Sequence, residues 1–85
     1  MISFKLGVVT HFYDKVGIAV LILENDLAVG EKINFLKEGE ELFSQTVTLI
    51  QKEHEKVAAA KRGEVVGIGT QKEAPVGTEV YKISS

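Results

Sequence analysis

Cysteine is absent from this chain of 85 residues, which rules out both a disulfide framework and a zinc site built from thiolates. Proline occurs once and tryptophan not at all. A chain of this length buries only about 60 to 65 % of the surface that it exposes when unfolded, so it can form one core but not two. We therefore expect a single domain over residues 1–85, stabilised by packing.

Long apolar runs and an excess of positive charge are also missing. The longest apolar run, VGIAVLIL at residues 16–23, is far shorter than the roughly 20 residues that span a bilayer. Met1 leads directly into ISFKLGVV without the basic segment of a signal peptide, so we expect a cytoplasmic protein with no membrane partner. The formal net charge of −2 lacks the basic excess of non-specific nucleic-acid binding. Any RNA contact would therefore need a local patch.

Short β-rich runs, separated by glycines and other turn residues, make up most of the chain. Six of them predict strands, at residues 4–13, 18–24, 31–36, 42–51, 64–70 and 78–83. The run 18–24 is apolar on both faces, which is not the pattern of a strand half-exposed to water. The expected fold is all-β, a small closed or nearly closed six-stranded barrel.

The glycines between residues 63 and 69 do not form a phosphate-binding loop. Their spacing fits neither G-x-G-x-x-G nor G-x-x-x-x-G-K-S/T, and no helix follows them. The segment HEKVAAAKR at 54–62 is too short for a stable isolated helix, so we expect a loop with at most one helical turn. No nucleophile with an adjacent base, paired-carboxylate motif or cofactor signature occurs. The sequence therefore predicts no catalytic residue, no cofactor and no enzyme activity.

The two histidines and their neighbours offer limited chemistry. His11 and His54 have acidic neighbours in sequence but match no metal-binding motif, so no metal site is predicted. Strand alternation places His11 and Tyr13 on one side of the first strand and Phe12 on the other. Phe12 is expected in the core. Tyr13 either stacks on a base of a nucleic acid or packs against the protein.

Basic residues on the long loop are a second reason to expect RNA binding, besides the stacking of Tyr13 on a base. These cations could contact phosphates, but Glu53, Glu55 and Glu64 interrupt them, and a solvated loop of mixed charge is the alternative. Gln51 and His54 could add hydrogen bonds to the RNA. The hypothesis names eight residues: Gln51, Lys52, His54, Lys61, Arg62, His11, Tyr13 and Lys15.

The second strand also predicts a protein contact. If Ile18, Val20 and Ile22 fill the core, alternation places the other apolar set on the outside of the sheet, where it must be covered. We expect that outer strip to bind a protein partner or a second copy of the chain. Its residues are Ala19, Leu21 and Leu23.

Several segments resemble one family of barrels. KVAAAKRGEVVGI, followed by APVGTEVYKI, resembles the second domain of translational GTPases such as elongation factor Tu and the initiation factors, where A-x-x-G-(D/E)-x-V-G-(I/V) leads into a buried strand. LAVGEKINFL resembles the V-G-(E/D)-x-(I/V) strand of that family. GVVTHFYDKVGIAVLILENDLAVGEKINF and QTVTLIQKEHEKVAAAKRGEVVGI are similar to stand-alone translation elongation factor-like barrels and to the barrel at the end of U32 peptidase-family proteins.

The resemblance extends from Leu6 to Ile83 and implies a barrel of the translation-protein type. It implies a non-enzymatic module that contacts tRNA or ribosomal RNA, without the GTPase domain and therefore without GTP hydrolysis. The U32-associated barrels imply the alternative, a protein-interaction or scaffold module that docks onto an enzyme. RNA binding should weaken steeply with salt, whereas an apolar protein contact should hardly respond.

Overall fold

Strands make up all the regular secondary structure that the computed structural model describes, which is the backbone of residues 2–84 and the side chains of residues 3–83. The all-β prediction is confirmed, and each of the six predicted strands has a counterpart. In chain order the ten strands are β1 (Ile2–Tyr13), β2 (Ile18–Ile22), β3 (Leu27–Ala28), β4 (Lys32–Lys37), β5 (Glu40–Thr46), β6 (Ile50–Lys52), β7 (Glu55–Val57), β8 (Ala59–Ala60), β9 (Val65–Gly69) and β10 (Glu79–Ser84).

The strands form one large antiparallel sheet and one small one. Eight of them lie in the order β5-β4-β10-β1-β2-β9-β6-β7, while β3 and β8 pair separately. β10 lies between β4 and β1, so the last strand connects the first strand to the middle of the chain. β1 pairs with β10 along its first half and with β2 along its second half.

The large sheet curls, because strands near its opposite ends are close together in the chain. β5 is one edge strand and β6 lies next to the other edge, yet only residues 47–49 separate them. The buried side chain of Gln45 on β5 connects this edge strand to the end of β9. Its Nε2 donates to the carbonyl of Gly69 at 2.7 Å, and its Oε1 accepts from the backbone N–H of Gln71 at 2.8 Å.

The predicted closed barrel of six strands differs from this arrangement. The sheet has eight strands, and among the described strands no ladder joins β5 to β7. Two strands are additional: the predicted strand 42–51 is divided into β5 and β6, and β7 comes from residues 54–62, which form β7 and β8 instead of the predicted loop with at most one helical turn. Val57 packs against the core and Ala60 is buried within it. This packing outweighs the helix propensity of the neighbouring alanines.

A bulge in β1 depends on glycine at position 7. The register of β1 against β10 shifts between Lys5 and Gly7, and Gly7 has a φ of +151°. A Cβ at this position would lie 2.5 Å from the carbonyl oxygen of Ile22. The missing side chain therefore allows β2 to approach the bulge closely.

The inner face of the curled sheet is the hydrophobic core. Ile33 and Phe35 share the inner face of β4, and the ring of Phe35 stacks on Phe43 with 4.3 Å between centroids. Other large, fully buried side chains come from most of the remaining strands and include Leu6, Leu21, Leu27, Ile50 and Ile68.

Strand β2 faces the opposite way from the prediction. Ala19, Leu21 and Leu23 are at most 2 % exposed and belong to the core, so the prediction that they form an outer strip is wrong. The register explains the error, since Leu21 lies opposite Val9 on β1 and Val66 on β9, and both partners are buried. Directly opposed residues share a face of the sheet, so Leu21 must point inward with them.

Candidate binding groove on the outer face of the sheet

The outer face of β2 and β9 is apolar and partly exposed. β2 presents Ile18, Val20 and Ile22, and β9 presents Val65 and Gly67. Ile22 lies directly opposite Val65, and these two side chains are 53 % and 56 % exposed. The molecule therefore has an outer apolar face, made by the set of β2 residues that the sequence analysis placed inside.

A groove of about 390 Å³ lies on this face, a volume near the lower end of the range for ligand sites. Gly67 lines it, and a Cβ at this position would lie only 2.8 Å from Cγ2 of Ile18. The glycine therefore makes room for the Ile18 side chain, which also lines the groove. Further lining side chains are Tyr13, Val16, Gln51, His54 and Val65.

Two aromatic rings lie on the β1 side, and one of them, Tyr13, lines the groove. His11 and Tyr13 stack with centroids 6.4 Å apart and planes inclined by 9°. Tyr13 is 55 % exposed, whereas Phe12 points to the other side and packs against the core. The predicted alternation of these three residues is confirmed, while stacking of Tyr13 on a base stays a prediction.

The other side of the groove is a strained two-residue turn between β6 and β7. Lys52 pairs with Glu55, and the turn residues Glu53 and His54 have φ angles of 52° and 67°. Two consecutive positive φ values are typical of a type I′ turn, in which Asn-Gly is preferred. Neither turn residue is glycine, so the backbone is held in a conformation that side chains disfavour.

An ion pair beside this turn neutralises one of the predicted RNA-binding cations. The ammonium group of Lys52 contacts the carboxylate of Glu64, and this hydrogen bond is the main reason why the pKa of Lys52 is raised. The same bond, followed by a 2.7 Å bond from the backbone N–H of Lys61, lowers the pKa of Glu64. Lys52 is therefore compensated within the chain.

The eight predicted RNA-binding residues occupy several places. Tyr13, Gln51 and His54 line the groove, and His11 and Lys52 lie next to them. Lys61 and Arg62 are exposed between β8 and β9, where the backbone N–H of Arg62 donates to Asp26 at 2.9 Å. Lys15 is exposed in the turn after β1. The groove thus collects the aromatic and amide groups rather than the cations, and RNA binding stays a prediction.

The described part of the chain lacks two other kinds of functional feature. Across its described residues there is no group of three or more His, Cys, Asp or Glu side chains that could hold a metal ion. Nor does it contain a helix with the length and hydropathy needed to cross a bilayer. The groove beside Gly67 is therefore the candidate functional site.

Comparisons with known proteins agree with the fold. The chain superposes on the crystal structure of the C-terminal domain of a Geobacillus thermoleovorans protein assigned to the U32 peptidases. The TM-score is 0.83 at 21 % sequence identity, and the match covers 93 % of this chain and 91 % of that domain. It has that domain's fold. The selenomethionine form of the domain gives a TM-score of 0.81 at 20 % identity, covering 94 % of this chain and 99 % of the other.

A sequence relative is the uncharacterized protease MJ0090 of Methanocaldococcus jannaschii, which is 32 % identical over 77 residues. The match covers 91 % of this chain but only 19 % of that protein, so the chain spans about a fifth of the length of its curated relative. No family model matches the chain. The fold match supports the resemblance to the U32-associated barrel, while the resemblance to elongation factor Tu stays a prediction.

Sequence reasoning missed the outward direction of Ile18, Val20 and Ile22, because both faces of β2 are apolar. A signal existed in β9, where Val65 and Gly67 alternate with inward-facing residues. Once β2 is paired with β9, Val20 lies opposite Gly67, so these two residues share the outer face. The sequence does not provide that register.

Proposed function

We propose that this chain is a non-catalytic docking domain that binds a protease through the apolar outer face of β2 and β9. The observation that carries the proposal is the exposure of Ile22 and Val65 on a fold shared with the C-terminal domain of a protein assigned to the U32 peptidases. Exposed apolar patches of this kind mark protein contacts. The similarity to an uncharacterized protease over most of this chain supports the same class of partner.

The charges around the face favour a protein partner over RNA. The net charge of the chain is −2, and Lys52, which adjoins the groove turn, is already paired with Glu64. Phosphate recognition relies on unpaired cations, whereas burial of apolar side chains proceeds without them. The docking role therefore agrees better with the surface than the translation-factor role that the resemblance to elongation factor Tu implies.

The proposal is tested by photo-crosslinking in cells of the protein's source. A photoreactive p-benzoyl-phenylalanine replaces Val65 in one variant and Val76 in another. Val76 is a matched control, because it is an apolar residue of similar exposure, 58 %, in the segment between β9 and β10. Crosslinked products are identified by mass spectrometry. We expect a protease to be crosslinked from position 65 and not from position 76.

The second step measures affinity for the purified protease that is identified. Val65→Lys should weaken binding by at least about tenfold, because a charged group would be buried in an apolar contact, while Val76→Lys should leave it unchanged. Binding should change little between about 50 and 200 mM salt. Crosslinks from position 65 only to RNA, or only to a second copy of the chain, would overturn the proposal, as would equal crosslinking from both positions.

A further inference from the structure

We infer that the groove beside Gly67 binds an uncharged peptide segment, holding one large apolar side chain and an adjacent peptide bond. The inference rests on the proposed docking function and specifies the chemistry of the segment that the groove recognises. It is carried by the shape of the groove, by two polar side chains outside the hydrogen bonds found among the described residues, by the balance of charge at the rim and by the strain of one turn.

The apolar part of the site is the groove itself. Its volume of about 390 Å³ is bounded by Ile18, Val65 and the exposed side chains of Val16 and Tyr13. The absence of a side chain at Gly67 keeps the groove open between β2 and β6. A leucine or phenylalanine side chain inserted here would be in contact with apolar groups on several sides.

The polar part is formed by Gln51 and His54, which also line the groove. The side-chain hydrogen bonds found among the described residues include neither the carboxamide of Gln51 nor the ring of His54. A carboxamide presents an N–H donor and a C=O acceptor, which complement the carbonyl and the N–H of a peptide backbone. Apolar walls with a few free polar groups are typical of ligand sites.

Gln45 already binds backbone groups of this chain in the way proposed for Gln51. Gln45 donates from Nε2 to the carbonyl of Gly69 and accepts at Oε1 from the N–H of Gln71. Its carboxamide thus satisfies one backbone acceptor and one backbone donor of a neighbouring segment. Gln51 offers the same pair of groups at the groove, where the described chain supplies no such segment.

The charges at the rim indicate an uncharged occupant. On the β1 side, the turn beside Tyr13 carries one acidic and one basic residue, Asp14 and Lys15. On the other side, Lys52 is paired with Glu64, and two exposed residues add one charge of each sign: Glu53, which lines the groove, and Lys56, which lies opposite Gln51. With the signs balanced, the rim offers no net attraction to a charged ligand, and a charge placed in the apolar groove would lose its hydration.

The strained turn between β6 and β7 also indicates a binding site, independently of the shape and charge of the groove. Glu53 and His54 both have positive φ angles, although glycine would adopt this conformation without strain. Strain of this kind concentrates at binding sites, where a particular side chain must be kept in place. His54 lines the groove, so its side chain has a position in which it can contact the bound segment.

The test is NMR titration of the ¹⁵N-labelled chain with capped single amino acids. The probes are N-acetyl-phenylalanine amide and N-acetyl-leucine amide, compared with the matching lysine and glutamate amides and with adenosine monophosphate. We expect saturable shifts of the Gly67 backbone signal and the Gln51 side-chain signal, with a dissociation constant of about 1 mM for the apolar amides. The charged amides should bind at least about tenfold more weakly.

Two pairs of variants separate recognition from folding. Gln51→Glu should weaken binding of the phenylalanine amide about tenfold, because it removes the N–H donor, whereas the matched Gln71→Glu on the exposed loop should not. His54→Gly should weaken binding while the fold remains stable. Absence of saturable shifts, equal binding of charged amides, preference for the nucleotide, or equal effects of the two glutamine variants would overturn the inference.

Failure of the groove inference and failure of the proposed docking function would give different results. If Val65→Lys abolishes protease binding and the capped amides do not bind, the docking role stands and the groove inference fails. If the amides bind in the groove and position 65 crosslinks no protease, the peptide site exists and the protease role fails.

Discussion

Replacing His54 by glycine is expected to stabilise the protein. His54 is the second residue of the turn between β6 and β7 and has a φ of 67°. A residue with a Cβ costs about 1–2 kcal/mol in left-handed backbone, whereas glycine loses about 0.5–1 kcal/mol more conformational entropy on folding. The difference is a gain of about 0.5–1 kcal/mol in the free energy of unfolding. For a domain of this size, that gain corresponds to a rise in Tm of about 2–8 °C.

The turn between β4 and β5 provides a matched control. Glu38 has the same φ as Glu53, 52°, but it is followed by Gly39 rather than by histidine. A Cβ on Gly39 would meet no atom within 4 Å, so Gly39→His tests the backbone effect alone. We expect Gly39→His to lower the free energy of unfolding by about as much as His54→Gly raises it, about 0.5–1 kcal/mol.

Thermal and guanidinium unfolding of the wild type, both single variants and the double variant would measure these effects. The double variant exchanges the second residues of the two turns and should unfold near the wild type, because the sites are separate and their effects should add. If His54→Gly were neutral or destabilising while Gly39→His destabilised, side-chain contacts of His54 would outweigh the backbone strain. The strain argument would then be wrong.

Two further predictions concern the closing contact of the sheet and the ion pair. Gln45→Leu should lower the free energy of unfolding by about 1–3 kcal/mol, because the Gly69 carbonyl and the Gln71 N–H lose their partner, and urea unfolding would measure it. The pKa of Glu64 is lowered and that of Lys52 is raised, so the pair should stabilise the fold at neutral pH. The Tm difference between wild type and Lys52→Met should therefore shrink as the pH falls below 4.5, the usual pKa of a glutamate. It should also shrink as the pH rises above 10.5, the usual pKa of a lysine. A Tm difference that stays constant with pH would contradict the assignment of the ion pair.

The strands were largely predictable from sequence, because their local signals agree with the final fold. Alternation along residues 31–36 places Ile33 and Phe35 on one face, which is the buried face of β4, and Gly39 has the positive φ of the hairpin turn that follows. In β1, alternation separated Phe12 from Tyr13 correctly. These features depend only on neighbours in sequence, which is the range over which residue patterns are informative.

The features that were missed depend on partners distant in sequence. The direction of β2 is set by its register with β1 and β9, and an apolar pattern on both faces leaves that choice open. Strand β7 forms because residues distant from it in sequence provide a surface on which Val57 can pack. The candidate groove combines residues from β1, β2, β6 and β9, so its composition became evident only with the strand order.

The central position of β10 has a consequence for the order in which the chain can fold. Before Glu79–Ser84 joins, the sheet exists only as two parts, β5-β4 and β1-β2-β9-β6-β7, and both β4 and β1 have open edges. Unpaired edges are templates for association with other chains, and pairing between strands far apart in sequence is slow. During synthesis, no ladder can connect β4 to β1 until β10 has left the ribosome, so these two edges stay open to association with other chains up to that stage.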